Sequence, residues 1–226
     1  MIDAAKIDTT IYIGSFALHQ PVTVFTDCFI SIFCFYFFKQ LNSLSNPTNT
    51  TISWKRFFLF LGLASIAGGS SHGFFAIHEG EGYKSFWLTM QALNIFSVYC
   101  AQQATLNSVL QHSDKKHYLN LMYNIQLVLF SIAVFVFQNF LVVVIDSAVG
   151  LIPIMVIYFI DAKKVKTSAW IAYGIFVLFF AAIVNATKFS FSAYFNYLDI
   201  AHILIMINLS LMFIGVKRGA TSSELI

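Results

Sequence analysis

Apolar runs about twenty residues long recur seven times along the 226-residue chain, with short polar connections between them. About 20 consecutive apolar residues carry a helix across a hydrocarbon core. Inside lipid only helices and closed barrels satisfy every backbone polar group. The runs lie at approximately 11–38, 57–77, 86–110, 118–137, 140–160, 169–187 and 197–216. They predict an all-α fold, a seven-transmembrane-helix bundle forming a single integral membrane domain over residues 1–226. Between the fourth and fifth runs only Gln138 and Asn139 intervene, and a tight turn between antiparallel helices is expected there. Charge agrees with this reading. Only 10% of residues are Asp, Glu, Lys or Arg, against about 25% in soluble domains. A soluble, disordered or secreted disulfide-rich chain is excluded.

The few charges give an orientation, because cytoplasmic loops retain Lys and Arg. Ten of the 13 basic residues fall at alternate ends of the runs: Lys39, Lys55, Arg56, Lys115, Lys116, Lys163, Lys164, Lys166, Lys217 and Arg218. Lys6, Lys84 and Lys188 fall at the others. Seven crossings then put the N-terminus outside and the C-terminus in the cytoplasm. With these roles assigned, the net charge of +3 implies no nucleic-acid partner, and no protein partner is apparent. Membrane lipid is the environment and a candidate substrate. Cys28, Cys34 and Cys100 lie in apolar runs without a CxxC pair and build neither a disulfide framework nor a zinc ribbon.

Ionisable residues inside the runs are functional candidates, since burying them in hydrocarbon is costly. His19 and Asp27 fall in the first run, His72 in the second, Asp146 in the fifth, and Asp199 and His202 in the seventh. In the expected orientation His19, His72, Asp146, Asp199 and His202 share the outer half of the membrane. Gln91, Asn94 and Asn185 join them as lining, ligand-binding groups. His19, Thr23, Thr26 and Asp27 recur at the spacing of one helical face. The plain structural reading of the hydroxyl stripe is bonding to helix backbone or to a neighbouring helix.

Imidazoles and carboxylates at one depth point to a zinc-dependent hydrolase acting on a lipid amide or ester. Zinc takes imidazole ligands and keeps a position for an activated water. His72 and His202 would be ligands, with His19 or His78 as the third. Asp199, Asp27 or Asp146 would orient a ring or take the water's proton, and Ser70 or Ser71 would steady an oxyanion. The stretches Gly68-Gly69-Ser70-Ser71-His72 and Asp199-Ile200-Ala201-His202, with the helix count, resemble the superfamily of alkaline ceramidases and adiponectin-type receptors. That resemblance implies a Ser and a His late in helix two and a His pair early in helix seven around zinc. Here the helix-seven pair reads His202 and Met206, and helix three offers Gln91 and Asn94 where the family has Asp. The alternatives are a non-catalytic receptor or small-ligand or lipid binder, and a haem held by two of the histidines. Retinal is excluded, because no lysine lies between Tyr197 and Val216.

Overall fold

The first apolar run does not begin as a helix. In the computed structural model, which describes residues 9–75 and 81–223, residues Thr10–Ile13 (β1) and Phe16–His19 (β2) form an antiparallel hairpin. Its register pairs Thr10 with His19 and Ile13 with Phe16. The two-residue turn Gly14-Ser15 puts Gly14 at φ 65°, a conformation that costs little without a Cβ. Helix α1 (Pro21–Asn42) starts only after Gln20, whose φ is 43°. Proline fits the first helical position, where its missing N–H costs nothing, but not a helix interior. The helix expected over 11–38 thus begins ten residues later and ends at Asn42, and His19 belongs to the hairpin.

The second helix starts earlier than expected for a similarly local reason. Thr48 accepts a hydrogen bond from Thr51 N at 3.2 Å and caps α2 (Asn49–Ser70). A π-helical turn, Ser71–Phe75, continues it. The remaining helices are α3 (Glu81–Asn107), α4 (Lys116–Phe137), α5 (Leu141–Asp161), α6 (Ser168–Thr187) and α7 (Tyr197–Ser223). The turn at Gln138-Asn139 is as tight as expected. Gln138 closes α4 at φ 49°, and the Asn139 side chain accepts from Leu141 N at 2.9 Å.

Neighbouring contacts run α1–α2–α3–α5–α6–α7 and back to α1, with α4 laid outside on α3 and α5. Among the described residues six helical segments are long and apolar enough to cross a membrane: Pro21–Asn42, Asn49–Phe74, Lys116–Phe137, Leu141–Asp161, Ser168–Thr187 and Tyr197–Thr221. Helix α3 is not among them, although it has 27 residues. It packs against α2, α4 and α5 and carries Gln91, Asn94, Gln102 and Gln103. A helix clothed by other helices needs no lipid-compatible surface. Helix α4 shows the converse, with Tyr123 and Val134 its buried residues.

One end of the bundle is aromatic in its core and basic at its rim. The rings of Phe37 and Phe213 stack at 4.2 Å, and Phe58 meets both edge-on. Lys217 Nζ donates to Gln40 Oε1 and Lys55 Nζ to Asn42 Oδ1, both at 2.9 Å. Arg218 lies 5.3 Å over the Trp170 ring. These contacts gather the basic ends of α1, α2, α6 and α7. Lipid is as apolar as leucine, so packing and not burial holds such helices together. Toward the other end His19, Thr23, Asp27, Ser71, Asn196 and Asp199 are buried.

Candidate functional site

The first candidate cluster is built where α1, the π-helical turn and α7 meet. Asn196 and Asp199 cap α7 reciprocally: Asn196 Oδ1 accepts from Leu198 N, and Asn196 N donates to Asp199 Oδ2, both at 2.8 Å. This is the geometry of a capping box. The second Asp199 oxygen, Oδ1, accepts from Thr23 Oγ1 at 2.7 Å. Asp199 is therefore occupied on both oxygens and ties α7 to α1. One turn further, Thr26 Oγ1 lies 2.7 Å from His202 Nδ1. The stripe Thr23, Thr26, Asp27 does face a neighbouring helix, and that helix is α7.

The hydroxyl of Thr26 fixes the imidazole. Its one hydrogen can serve Thr23 O at 2.9 Å or the ring nitrogen, and where it serves Thr23 it accepts from His202. In that arrangement Nδ1 carries a hydrogen, and a neutral ring presents a lone pair at Nε2. That nitrogen faces Asp27 Oδ1 at 3.7 Å. Two acceptors face each other across a gap too wide for a direct hydrogen bond, and a shared hydrogen is needed between them. The other Asp27 oxygen, Oδ2, is buried without a hydrogen-bond partner among the described residues.

Glycines on α2 make room for this carboxyl. A methyl group added at Gly69 would stand 3.1 Å from Asp27 Cβ, and one at Gly68 would stand 3.6 Å from Asp27 Oδ2. Just beyond them Ser71 is fully buried, and its Oγ also has no partner among the described residues. His72 meets the Trp87 ring edge-on at 6.5 Å and lies within electrostatic range of His202. Two polar atoms without a hydrogen-bond partner among the described residues, Asp27 Oδ2 and Ser71 Oγ, thus lie beside the facing pair His202 Nε2 and Asp27 Oδ1.

The other candidates are elsewhere. His19 is buried in the hairpin with Nδ1 2.8 Å from Thr10 Oγ1, so it is not part of the Thr23–Asp27 helical stripe. Asp146 is 1% exposed on α5. Its Oδ1 accepts from Gln126 Nε2 at 2.8 Å, and that nitrogen also reaches Asp146 O at 3.1 Å. Gln102 Nε2 in turn donates to Gln126 Oε1 at 2.8 Å. Asp146 therefore belongs to a second polar seam between α3, α4 and α5. With its amide turned so that the oxygen faces Trp87 Nε1, Gln91 accepts from that nitrogen at 2.7 Å and donates to Asn139 O at 3.1 Å, bracing the α4–α5 turn. Asn94 donates to Met90 O of its own helix at 3.0 Å. Asn185 is half-buried near the end of α6, and among the described residues no hydrogen bond joins its side chain to Asp146. His78 and Glu79 lie outside the described residues.

Gln102 and Gln126 were not singled out in the sequence. Their signal was available: two glutamines within apolar stretches of membrane helices demand partners. Asn196-x-x-Asp199 was equally legible as a helix start.

A zinc cage takes three or four ligands at about 2.0–2.3 Å. Among the described residues no group of three or more His, Cys, Asp or Glu side chains is placed to hold a metal ion. His19 is engaged with Thr10 and His202 gives one nitrogen to Thr26. His78, the other third ligand expected from the sequence, lies outside the described residues. Neither the curated proteins nor the solved structures contain a match to the chain. A family model does match, over residues 22–221, and it spans all seven helices. The chain belongs to that family, a family of unknown function (DUF6962).

Proposed function

We propose that the chain is a multi-pass membrane protein that binds the hydrogen-bond-donating head of a small amphiphile between α1, the π-helical turn and α7. The basic rim lies toward the cytoplasm by the rule that such loops retain Lys and Arg, and the N-terminus lies outside. One observation carries the reading: His202 Nε2 and Asp27 Oδ1 face each other at 3.7 Å with the ring's other nitrogen already bound to Thr26. An amine or hydroxyl placed there supplies the missing hydrogen to one or both, and its remaining donors reach Asp27 Oδ2. Asp199 acts here as a positioning group. Non-catalytic binding is favoured over hydrolysis, because among the described residues the cluster lacks the grouped ligands that a zinc-bound water needs.

Native mass spectrometry of protein purified from membranes tests this. Wild type is expected to retain an added mass that Asp27→Asn loses, by a factor of at least about ten in occupancy at matched detergent, or about 1.4 kcal/mol. Circular dichroism should show the same helix content in both. Equal retention by the variant sinks the reading. About one zinc per chain in wild type, lost in both His72→Ala and His202→Ala, replaces it with the hydrolase.

A further inference from the structure

Three regions outside the candidate cluster could carry a function. The polar seam at Asp146 is enclosed within three helices, and its glutamines are accounted for by its carboxyl. A cavity of about 440 Å³ opens beside Gln103, Asn107, Ser113, Lys116 and Asn120, with no buried unpartnered group aimed into it. The third region is a surface at the end of the bundle opposite the basic rim.

Helices α1 and α7 run parallel, because Thr23 pairs with Asp199 and Thr26 with His202 at the same sequence offset. The segments that precede them, the hairpin and the α6–α7 connection, therefore stand at one end. Both expose large rings and chains. Tyr12 is 74% exposed, Ile13 66%, Phe191 71% and Tyr194 67%, with Phe189 at 52%. Phe189 and Phe191 are themselves in edge-on contact at 5.1 Å. Residues 9–20 contain no charged side chain, and residues 188–196 contain Lys188 alone. The α5–α6 connection at the opposite end differs sharply: Ala162–Thr167 holds Lys163, Lys164 and Lys166 and no aromatic residue. A water-washed loop has no use for unclothed phenylalanines. A bilayer boundary does, since aromatic rings settle at headgroup level and a lysine beside them reaches outward.

We propose that the hairpin tip and the α6–α7 connection form one aromatic platform seated in the lipid headgroup region. The occupant of this surface is lipid, because the same bundle already exposes Phe25, Phe29 and Ile32 along α1, a face that a membrane-crossing helix gives to acyl chains. The platform is attached to the candidate cluster through Asn196, whose backbone N–H holds Asp199 Oδ2. Seating the connection in the bilayer boundary therefore also sets the start of α7. The proposal rests on the helices crossing a membrane and is independent of any ligand.

Site-directed spin labelling in lipid nanodiscs tests it. Exposed Cys28 is replaced by Ser, while Cys34 and Cys100 are buried. Labels are placed singly by Phe191→Cys and Tyr12→Cys, with Phe29→Cys as an acyl-depth reference and His112→Cys as a reference at the basic end. Collision with oxygen at Phe191 and Tyr12 is expected to exceed that at His112 severalfold, and collision with a nickel chelate to fall severalfold. Both should read shallower than Phe29. Water-like values equal to those at His112 overturn the platform, as does protection from both reagents, which means protein covers it. Water-like values at Phe29 overturn the membrane assignment together with the platform.

Discussion

Asp27 and Asp146 are both buried, both sit on helices apolar enough to cross a membrane, and both have an Oδ2 without a partner among the described residues. Their surroundings differ in kind. Gln126 grips Asp146 through both its backbone and side-chain oxygens, and Gln102 holds Gln126 in turn. Every amide donor in that chain points toward the carboxyl, and such oriented chains stiffen one another. Asp27 instead faces a ring nitrogen across an unfilled gap, with two glycines at its back. One aspartate is locked by its neighbours and the other is left open by them. A buried acid in a membrane helix is therefore informative only together with the hydrogens its neighbours have left to give.

The largest expected effect tests how tightly the locked side is packed. A methyl group at Gly150 would stand 2.4 Å from Val98 Cγ1 and 3.1–3.2 Å from the amide nitrogens of Gln102 and Gln126. Gly150→Val should cost about 3 kcal/mol, the upper end of ordinary overpacking. Equilibrium unfolding in mixed micelles measures it. A loss below about 1 kcal/mol would mean the seam is slack, and the contrast with Asp27 would fail.

Next in size is Gln126→Leu. It removes two interhelical contacts and leaves Gln102 and Asp146 without their partner. Interhelical hydrogen bonds in membranes average about 0.6 kcal/mol, and a stranded buried group adds about 1 kcal/mol or more. A destabilisation of about 2 kcal/mol is expected by the same assay. The copurifying mass should be retained in full. Its loss would merge the two regions into one functional unit.

Much of this was legible in the sequence, and the exceptions have physical causes. The number of helices, the Gln138-Asn139 turn and the Thr23–Thr26–Asp27 face all follow from hydropathy and helical spacing. Hydropathy could not separate the hairpin from α1, because both are apolar; Pro21 and Gly14-Ser15 were the signals that could. It also cannot tell a lipid-facing helix from an enclosed one, and α3 shows why, since its glutamines are affordable only under cover of its neighbours. The grouping of polar residues by depth brought His72, Asp199 and His202 to one region, and helical spacing added Asp27 beside Thr23 and Thr26. Depth says nothing of azimuth, and Asp146, Gln91 and Asn94 face other partners at their own sides of the bundle.

Thr26→Val probes the open side with a smaller energetic effect. It deletes the acceptor of His202 Nδ1–H, at a cost of about 1 kcal/mol. The more telling readout is the ring itself. Nitrogen-15 spectra of histidine-labelled protein should show a single Nδ1–H form of His202 in wild type and a mixture of tautomers in the variant. An unchanged spectrum would mean that something other than Thr26 holds the ring, and the derivation of a free Nε2 would fall.

The smallest expected effect is the most demanding of the comparison. In Asp146→Asn the amide oxygen takes the place of Oδ1 and goes on accepting from Gln126, while the new NH₂ occupies the position of Oδ2, which had no partner to lose. Stability should change by no more than about 0.5 kcal/mol, within the worth of one interhelical bond. Occupancy of the copurifying mass should not change either. The same chemical substitution at Asp27 places an NH₂ opposite His202 Nε2, where it donates the hydrogen that the gap requires and so competes with the ligand for it. Identical replacements are thus expected to be silent at one aspartate and disabling at the other. If Asp146→Asn empties the site as Asp27→Asn does, the Asp146 carboxyl is not merely locked in place. Its unpartnered Oδ2 would then be serving the same ligand, and the distinction drawn from the neighbours' hydrogens would be wrong.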